Sequence, residues 1–301
     1  MLQLNNIHEF HEFTNLPKPE HPLISVIDYS LVEYPLHSDS FKWVQNFYSI
    51  GLKRHVSKRF NYGQQVYDFK EGVLSFIAPS QVINIEIDRE AEADPSGWLL
   101  VIHPDFLWNT SLASNIKKYE FFGYNVNEAL FLSEKEELML VDIFKKIQQE
   151  YESNIDKFSQ NIIIAQIELL LNYAERFYER QFITRKITNH QILDQLEKLL
   201  SDFFNRKDLI HRGLPSVQEI ADSLNLSANY LSTLLKTQTG QSTQQHIHNK
   251  LIDKAKERLS TTTLSISEIA YELGFEQPAS FTKLFKSKTQ VSPLQFRNSF
   301  N

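Results

Sequence analysis

Ser216-Val217-Gln218-Glu219-Ile220-Ala221-Asp222-Ser223-Leu224-Asn225-Leu226 is answered 49 residues later by Ser265-Ile266-Ser267-Glu268-Ile269-Ala270-Tyr271-Glu272-Leu273-Gly274-Phe275. The two stretches agree at the positions that decide conformation. Each opens with serine and carries glutamate three residues on, the pairing in which hydroxyl and carboxylate satisfy the free backbone donors of a helix start. Val217, Ile220, Ala221 and Leu224 recur at i, i+3, i+4 and i+7, as do Ile266, Ile269, Ala270 and Leu273, and that spacing is one buried face of an α-helix. Ala221 and Ala270 are small enough to let a second helix approach. Asn225 and Gly274 suit the left-handed conformation that ends a helix. The pattern predicts a helix and a tight turn, written twice.

The residues after each turn complete the pair. Ser227 can cap a helix with Tyr230, Leu231, Leu234 and Leu235 inward, and Pro278 suits the first turn of one with Phe281, Leu284 and Phe285 inward. The offset between copies is 50 after the turn, so the second copy has one extra turn residue. The helix-turn-helix segments are therefore expected at about 216–237 and 265–287. Between them Ser242 can cap a linker helix over about 243–260, with Ile247, Leu251, Ala255 and Leu259 on one face. At 1.5 Å per residue it is roughly 27 Å long. A rod of that length could hold two helices about one DNA turn, roughly 34 Å, apart. Upstream, a helix over 191–204 presents Ile192, Leu196, Leu199, Leu200 and Phe203, and is expected to pack on the first copy.

The chain as a whole permits two domains: 301 residues, 42% hydrophobic, 23% charged. It has no cysteine, which excludes disulfides, thiolate metal sites and cysteine catalysis. Net charge is −6, but residues 186–301 carry 14 Lys and Arg against 11 Asp and Glu, and residues 1–185 carry 17 against 26. An acidic domain thus precedes a mildly basic one, an asymmetry that suggests divided labour. The start of the chain lacks the basic-then-apolar order of a signal peptide, and no run approaches the length of a membrane span, so a cytoplasmic protein without a membrane partner is expected.

Residues 1–22 are polar and closed by Pro17, Pro19 and Pro22, which predicts an arm or a loosely held edge. From 23 to about 103 short β-branched and aromatic runs, at 23–29, 41–48, 82–87 and 98–103, are separated by Gly51, Gly63, Gly72, Pro79 and the acidic loop at 89–97, predicting strands of a sandwich or small barrel. Ser133-Glu134-Lys135-Glu136 starts a helix whose face is expected to hold Leu138, Val141, Phe144, Ile147 and Tyr151. The helix at about 159–180 is apolar nearly all round, so it must be covered on more than one side. One side is expected on the β-domain and the other in a homodimer interface. Residues 180–189 then read as a polar, basic connector.

Within the last third, Tyr230-Leu231-Ser232-Thr233-Leu234-Leu235-Lys236, Thr239-Gly240-Gln241-Ser242, Ala255-Lys256-Glu257-Arg258-Leu259, residues 266–275, Phe281-Thr282-Lys283-Leu284-Phe285-Lys286 and Val291-Ser292-Pro293-Leu294-Gln295-Phe296-Arg297, in that order and spacing, resemble the AraC-type transcriptional regulators. Residues 72–81 and 97–107 resemble, more loosely, the cupin-like domain of that family. The resemblance implies a mixed, two-domain fold. An N-terminal cupin-like β-barrel or sandwich with trailing helices, residues 1–185, would serve as sensor and dimerisation domain. An all-α domain, residues 186–301, would carry two helix-turn-helix motifs joined by a linker helix. It implies a sequence-specific regulator, an activator by preference, with double-stranded promoter DNA, a small-molecule effector and RNA polymerase as partners and no cofactor. The helices at 227–237 and 277–287 would enter adjacent major-groove segments. Base edges would be met by Asn229, Ser232 and Thr233 in the first, and by Ala279, Ser280, Thr282 and Lys283 in the second. Phosphates would be met by Lys236, Lys250, Lys286 and Arg297. The sequence departs from the family in three ways: the first recognition helix lacks an arginine, Lys283 stands where arginine is common, and Gln290 occupies the turn that Gly240 fills in the first copy.

An enzyme is not expected. The eight glycines form no phosphate loop or dinucleotide fingerprint, and no zinc-protease helix motif occurs. His8 and His11 read as solvated tail residues, His246 and His248 lie two apart on different helix faces, and His37, His55 and His103 lack a close pair. Tyr29, Trp43, Phe47, Tyr48, Tyr67 and Trp98 are read first as core and second as pocket lining, which leaves the effector site unassigned. Two other classes stay open: a ligand-independent DNA binder governed by abundance or a protein partner, and a metal-dependent cupin enzyme fused to a DNA-binding domain.

Overall fold

Alternation of apolar and polar residues in the first half of the chain produces two sheets among the described residues. The computed structural model describes residues 2–34, 40–54, 72–86, 96–124, 128–153, 156–184, 186–206 and 209–299. The chain divides into two compact units, Met1–Gln181 and Phe182–Asn301. His37, His55, Gly63, Tyr67 and most of the acidic loop at 89–97 lie outside the described residues.

In the first unit the strands are β1 (Leu2–Leu4), β2 (Ile24–Asp28), β3 (Ser40–Gln45), β4 (Tyr48–Arg54), β5 (Val73–Ile77), β6 (Val82–Glu86), β7 (Ser96–Ile102) and β8 (Leu130–Phe131). They form a three-stranded sheet, β1-β3-β6, and a five-stranded sheet, β2-β7-β4-β5-β8. Stretch 41–48, expected as one strand, is split between the two. The bend is held by Asn46 N donating to Leu4 O at 2.9 Å and by the buried Gln45 carboxamide donating to Phe47 O at 3.0 Å and Ser49 Oγ at 2.6 Å. Leu4, Trp43 and Ile83 from one sheet meet Ile27, Leu99 and Val101 from the other in a shared apolar cluster. Its inner surface is not uniformly apolar: a Cβ built on Gly51 would lie 3.2 Å from Ser75 Oγ, 3.6 Å from Lys53 Cε and 3.7 Å from Leu99 Cδ1. Lys53 Nζ sits 4.5 Å from the Tyr29 ring centroid.

The N-terminal segment is not the arm that its polarity suggests. Helix α1 (Ile7–Phe13), capped by Asn6, buries Ile7 and Phe10 in the same cluster. One apolar residue per turn among Glu and His was enough to anchor it. His11 is buried, not solvated: Nδ1–H donates to the Pro17 carbonyl at 2.5 Å, so Nε2 accepts from the Ser25 hydroxyl at 3.1 Å. Burial lowers its pKa and keeps it neutral. The aromatic residues pack: Tyr29, Trp43 and Phe47 lie in the cluster, Tyr48 meets Phe122 edge-on, and Trp98 stacks on Phe144. His103 caps the turn Pro104–Leu107 through Asp105 N.

After the short α2 (Leu112–Asn115) comes α3 (Glu134–Tyr151), with the expected capping box at Ser133 and Glu136. Its inward face holds Glu137, Leu140, Ile143, Phe144 and Ile147, while Leu138, expected inside, is 58% exposed. Glu137 tolerates burial because Arg54 pairs with it and Gly72 N donates to its carboxylate at 3.2 Å, so its charge stays compensated. Helix α4 (Ser159–Thr184) buries Ile163, Ile164, Ile167, Leu170, Leu171, Ala174, Phe177 and Tyr178 on one face. Ile162 and Leu169 are exposed.

The second unit contains α5 (Lys186–Phe204), α6 (Leu209–Arg212), α7 (Val217–Ser223), α8 (Ala228–Thr239), α9 (Thr243–Thr261), α10 (Ile266–Glu272), α11 (Pro278–Thr289) and α12 (Pro293–Asn298). The span 180–189, expected as a connector, is helical at 180–184 and 186–189. Both capping boxes, Ser216 with Glu219 and Ser265 with Glu268, are formed. These bonds to serine hold both carboxyls below the usual range. Asn225 and Gly274 adopt φ of 56° and 86°. Helix α5 packs on α9 as well as on α8.

The repeat runs further than the sequence pattern indicated. Gly240 and Gln290, equivalent residues, both take left-handed φ, 71° and 65°, as C-caps of α8 and α11. Thr239 and Thr289 return hydroxyl bonds to Leu235 O and Phe285 O at 2.8 Å. Ser242 with Gln245, and Ser292 with Gln295, then form matching capping boxes that open α9 and α12. Each copy is therefore three helices, not two.

Two substitutions test this backbone account. Gly274 has φ of 86°, and a Cβ there would come within 2.9 Å of the Gly213 backbone. Gly274→Ala is expected to destabilise the second unit by about 2 kcal/mol or more, read as a lower thermal midpoint; an unchanged midpoint would contradict the close approach. Gln290→Gly is expected to stabilise by roughly 1 kcal/mol in chemical denaturation, because glycine removes the left-handed penalty at a position where Gly240 already serves.

Candidate nucleic-acid interface

Helix α9 is the common seat of both recognition helices. Ile247, Leu251, Ala255 and Leu259 are each at most 1% exposed, and α8, α10, α11 and α12 all pack against α9. Nineteen residues give it a length of about 28 Å. Because Tyr230, Leu231, Leu234 and Leu235 of α8 and Phe281 and Phe285 of α11 point into this core, the opposite faces of both helices are left outward.

On α8, Asn229 is exposed, and Ser232 and Thr233 are half-buried. Thr233 Oγ1 donates to Asn229 O at 3.0 Å, which leaves its methyl group as the outward feature. Ser232 Oγ lies 3.1 Å from Oγ1 of Thr243, a fully buried residue at the start of α9. On α11, Ala279, Ser280 and Lys283 are exposed and Thr282 is half-buried. The second helix thus presents a cation and small side chains, the first a carboxamide and a methyl.

The four expected phosphate cations fall into two pairs. Lys236 and Lys286 are exposed in the last turns of α8 and α11. Lys250 and Arg297 are engaged within the unit: Lys250 Nζ is 3.5 Å from Glu197 Oε2, and Arg297 Nε donates to Leu259 O at 3.3 Å with Nη2 buried. Arg297 sits at the end of α9, where a cation favourably meets free carbonyls. Lys288, absent from that expected set, is a third exposed cation in the last turn of α11. Sequence could have offered it through its spacing from Lys286, but nothing in the sequence marked Lys250 and Arg297 as already paired.

His246 and His248, two apart on α9, bond to different partners. His246 Nε2 meets Thr239 Oγ1 at 2.9 Å, and His248 Nε2 meets Gln244 at 2.9 Å. Burial lowers both pKa values, and Lys288 lowers that of His248 further. Among the described residues no group of three or more His, Asp or Glu is placed to hold a metal ion, and no helix is long and apolar enough to cross a membrane.

Comparison with known proteins agrees with this geometry. The family described as a helix-turn-helix domain matches residues 220–299. The uncharacterised HTH-type transcriptional regulator YfiF of Bacillus subtilis is 31% identical over 146 residues, 48% of this chain and 43% of that protein. The raffinose operon transcriptional regulatory protein RafR of Pediococcus pentosaceus is 36% identical over 84 residues, 28% of this chain and 30% of that protein. The lactose operon transcription activator of Staphylococcus xylosus is 26% identical over 164 residues, 54% of this chain and 55% of that protein. The chain thus spans between about a third and about half of the length of these relatives, all named as regulators rather than enzymes. Among solved structures, the C-terminal domain of the response regulator yesN from Fusobacterium nucleatum is 30% identical, covering 34% of this chain and 96% of that one at a TM-score of 0.29. With two copies of a capped helix, a left-handed turn and an outward second helix on a shared spine, residues 220–299 form a helix-turn-helix domain that is similar to those of AraC-type transcriptional regulators.

Proposed function

We propose that the protein is a sequence-specific DNA-binding regulator of transcription in which α8 and α11 enter successive major-groove segments of promoter DNA. The observation that carries this is the pair of outward helix faces on one buried spine. Asn229, the Thr233 methyl, Ala279, Ser280, Thr282 and Lys283 meet base edges, with asparagine suited to adenine, lysine to guanine, and methyl groups to thymine. Lys236, Lys286 and Lys288 meet phosphates, which position the domain without reading sequence.

The N-terminal unit acts as a cupin-like sensor and dimerisation module, and activation is the outcome of DNA binding. Small and polar residues, Ser75, Gly51 and Lys53, on the inner face of the five-stranded sheet favour a small-molecule effector over a purely structural sandwich. Such an effector regulates only if it binds one arrangement of the protein more tightly than another. Ile162, Ala165 and Leu169, exposed at i, i+3 and i+7 on α4, supply the homodimer contact.

Two measurements test these assignments. Binding-site selection from random duplex DNA is expected to show that Lys283→Ala relaxes preference at one base position, about tenfold or less, while Lys286→Ala weakens binding uniformly and reduces the salt slope by about one. Unchanged preference in Lys283→Ala would remove α11 from the groove. Leu169→Glu is expected to convert a dimer to a monomer in sedimentation equilibrium and to shorten the DNase footprint. A dimer that persists in that variant would move the interface elsewhere.

A further inference from the structure

The two recognition helices share a scaffold but not a division of labour. Residues 232 and 282 are equivalent in the repeat, as are 243 and 293. In the first copy, Ser232 Oγ and Thr243 Oγ1 are 3.1 Å apart, and Thr243 is 0% exposed at the first turn of α9. In the second, the position of Thr243 is taken by Pro293, buried at the first turn of α12, which has no hydroxyl to offer. Thr282 makes no side-chain hydrogen bond among the described residues and remains half-exposed. The same asymmetry recurs one residue on: Thr233 spends its hydroxyl on Asn229 O, whereas Lys283 at the equivalent position is exposed.

We infer that Ser232 is a positioning residue, tying α8 to the start of α9 through Thr243, and that its counterpart Thr282 is a specificity-determining residue whose hydroxyl meets a base edge. The physical reason is that a hydroxyl half-buried beside a fully buried one is held by it: breaking the pair strands Thr243 Oγ1 away from water. A group so engaged can exchange its partner for a base only at that cost. Proline at 293 frees the equivalent hydroxyl in the second copy. The first recognition helix is thereby held in register on the spine, and the second supplies more of the discrimination between bases. This inference rests on the proposal that both helices enter the groove.

The test uses the full-length chain and two readouts. In thermal unfolding without DNA, Ser232→Ala and Thr243→Val are each expected to lower the midpoint, with the double variant no worse than the more damaging single, while Thr282→Val leaves it unchanged. In selection from a random duplex DNA library, Ser232→Ala and Thr243→Val are expected to keep the wild-type motif and to lose affinity about equally, roughly three- to tenfold. Thr282→Val is expected to keep affinity for most sites and to lose preference at one base position, by about threefold or more. Additive stability effects of Ser232→Ala and Thr243→Val, or loss of preference at one base in Ser232→Ala but not in Thr243→Val, would overturn the inference while leaving the DNA-binding proposal intact. A wild-type chain that selects no motif would overturn both.

Discussion

Burial of one face of α9 is the interaction on which the second unit depends. Ile247, Leu251 and Leu259, almost entirely removed from water, each contribute about 1.5–3 kcal/mol of transfer free energy, and Ala255 between them lets neighbouring helices approach closely. Both recognition helices, and the helices that precede and follow the second, are seated on this one rod. Their spacing and orientation are therefore set by a single element. A fault in α9 would misplace both copies together, whereas a fault in one recognition helix would stay local.

Around that rod the molecule reuses one local solution and then modifies it. Serine caps with glutamate or glutamine three residues on open α7, α9, α10 and α12, and left-handed residues close α8 and α11. Each copy places one glycine and one other residue at left-handed φ, in opposite order: Asn225 then Gly240 in the first, Gly274 then Gln290 in the second, where the nearby Gly213 backbone leaves no room for a Cβ at 274. The second copy also carries the exposed Lys283, Lys286 and Lys288. In the first copy, by contrast, hydroxyls turn back onto the protein at Ser232 and Thr233. The chemistry available to DNA thus differs between copies even though the backbone plan does not.

In the first unit, buried polar groups decide details that apolar patterning leaves open. Gln45 holds the bend between β3 and β4, His11 joins the end of α1 to Pro17 and Ser25, and Glu137 joins α3 to Arg54 and Gly72. Each is tolerated because its partners replace the water it has lost. On α3 the compensated Glu137 carboxylate shares the inward face with Leu140, Ile143, Phe144 and Ile147, and Leu138 lies outside.

Sequence by itself determined the doubled helix-turn-helix, its caps, its left-handed turn residues and the apolar face of the linker helix, because these depend on contacts within a few residues and on a period of 3.6. It determined the strands less completely, since alternation does not say where a chain leaves one sheet for the other, as it does after Gln45. Tertiary structure alone decided the anchoring of the N-terminal segment, where Ile7 and Phe10 of a seven-residue helix enter a common cluster and Phe13 packs against it. It alone decided which cations remain free, because Lys250 and Arg297 meet partners 53 and 38 positions away in the chain, Glu197 and Leu259. And it alone separated Ser232 from Thr282: the two look alike in a local reading, and differ only in whether a buried threonine or a proline stands eleven residues on.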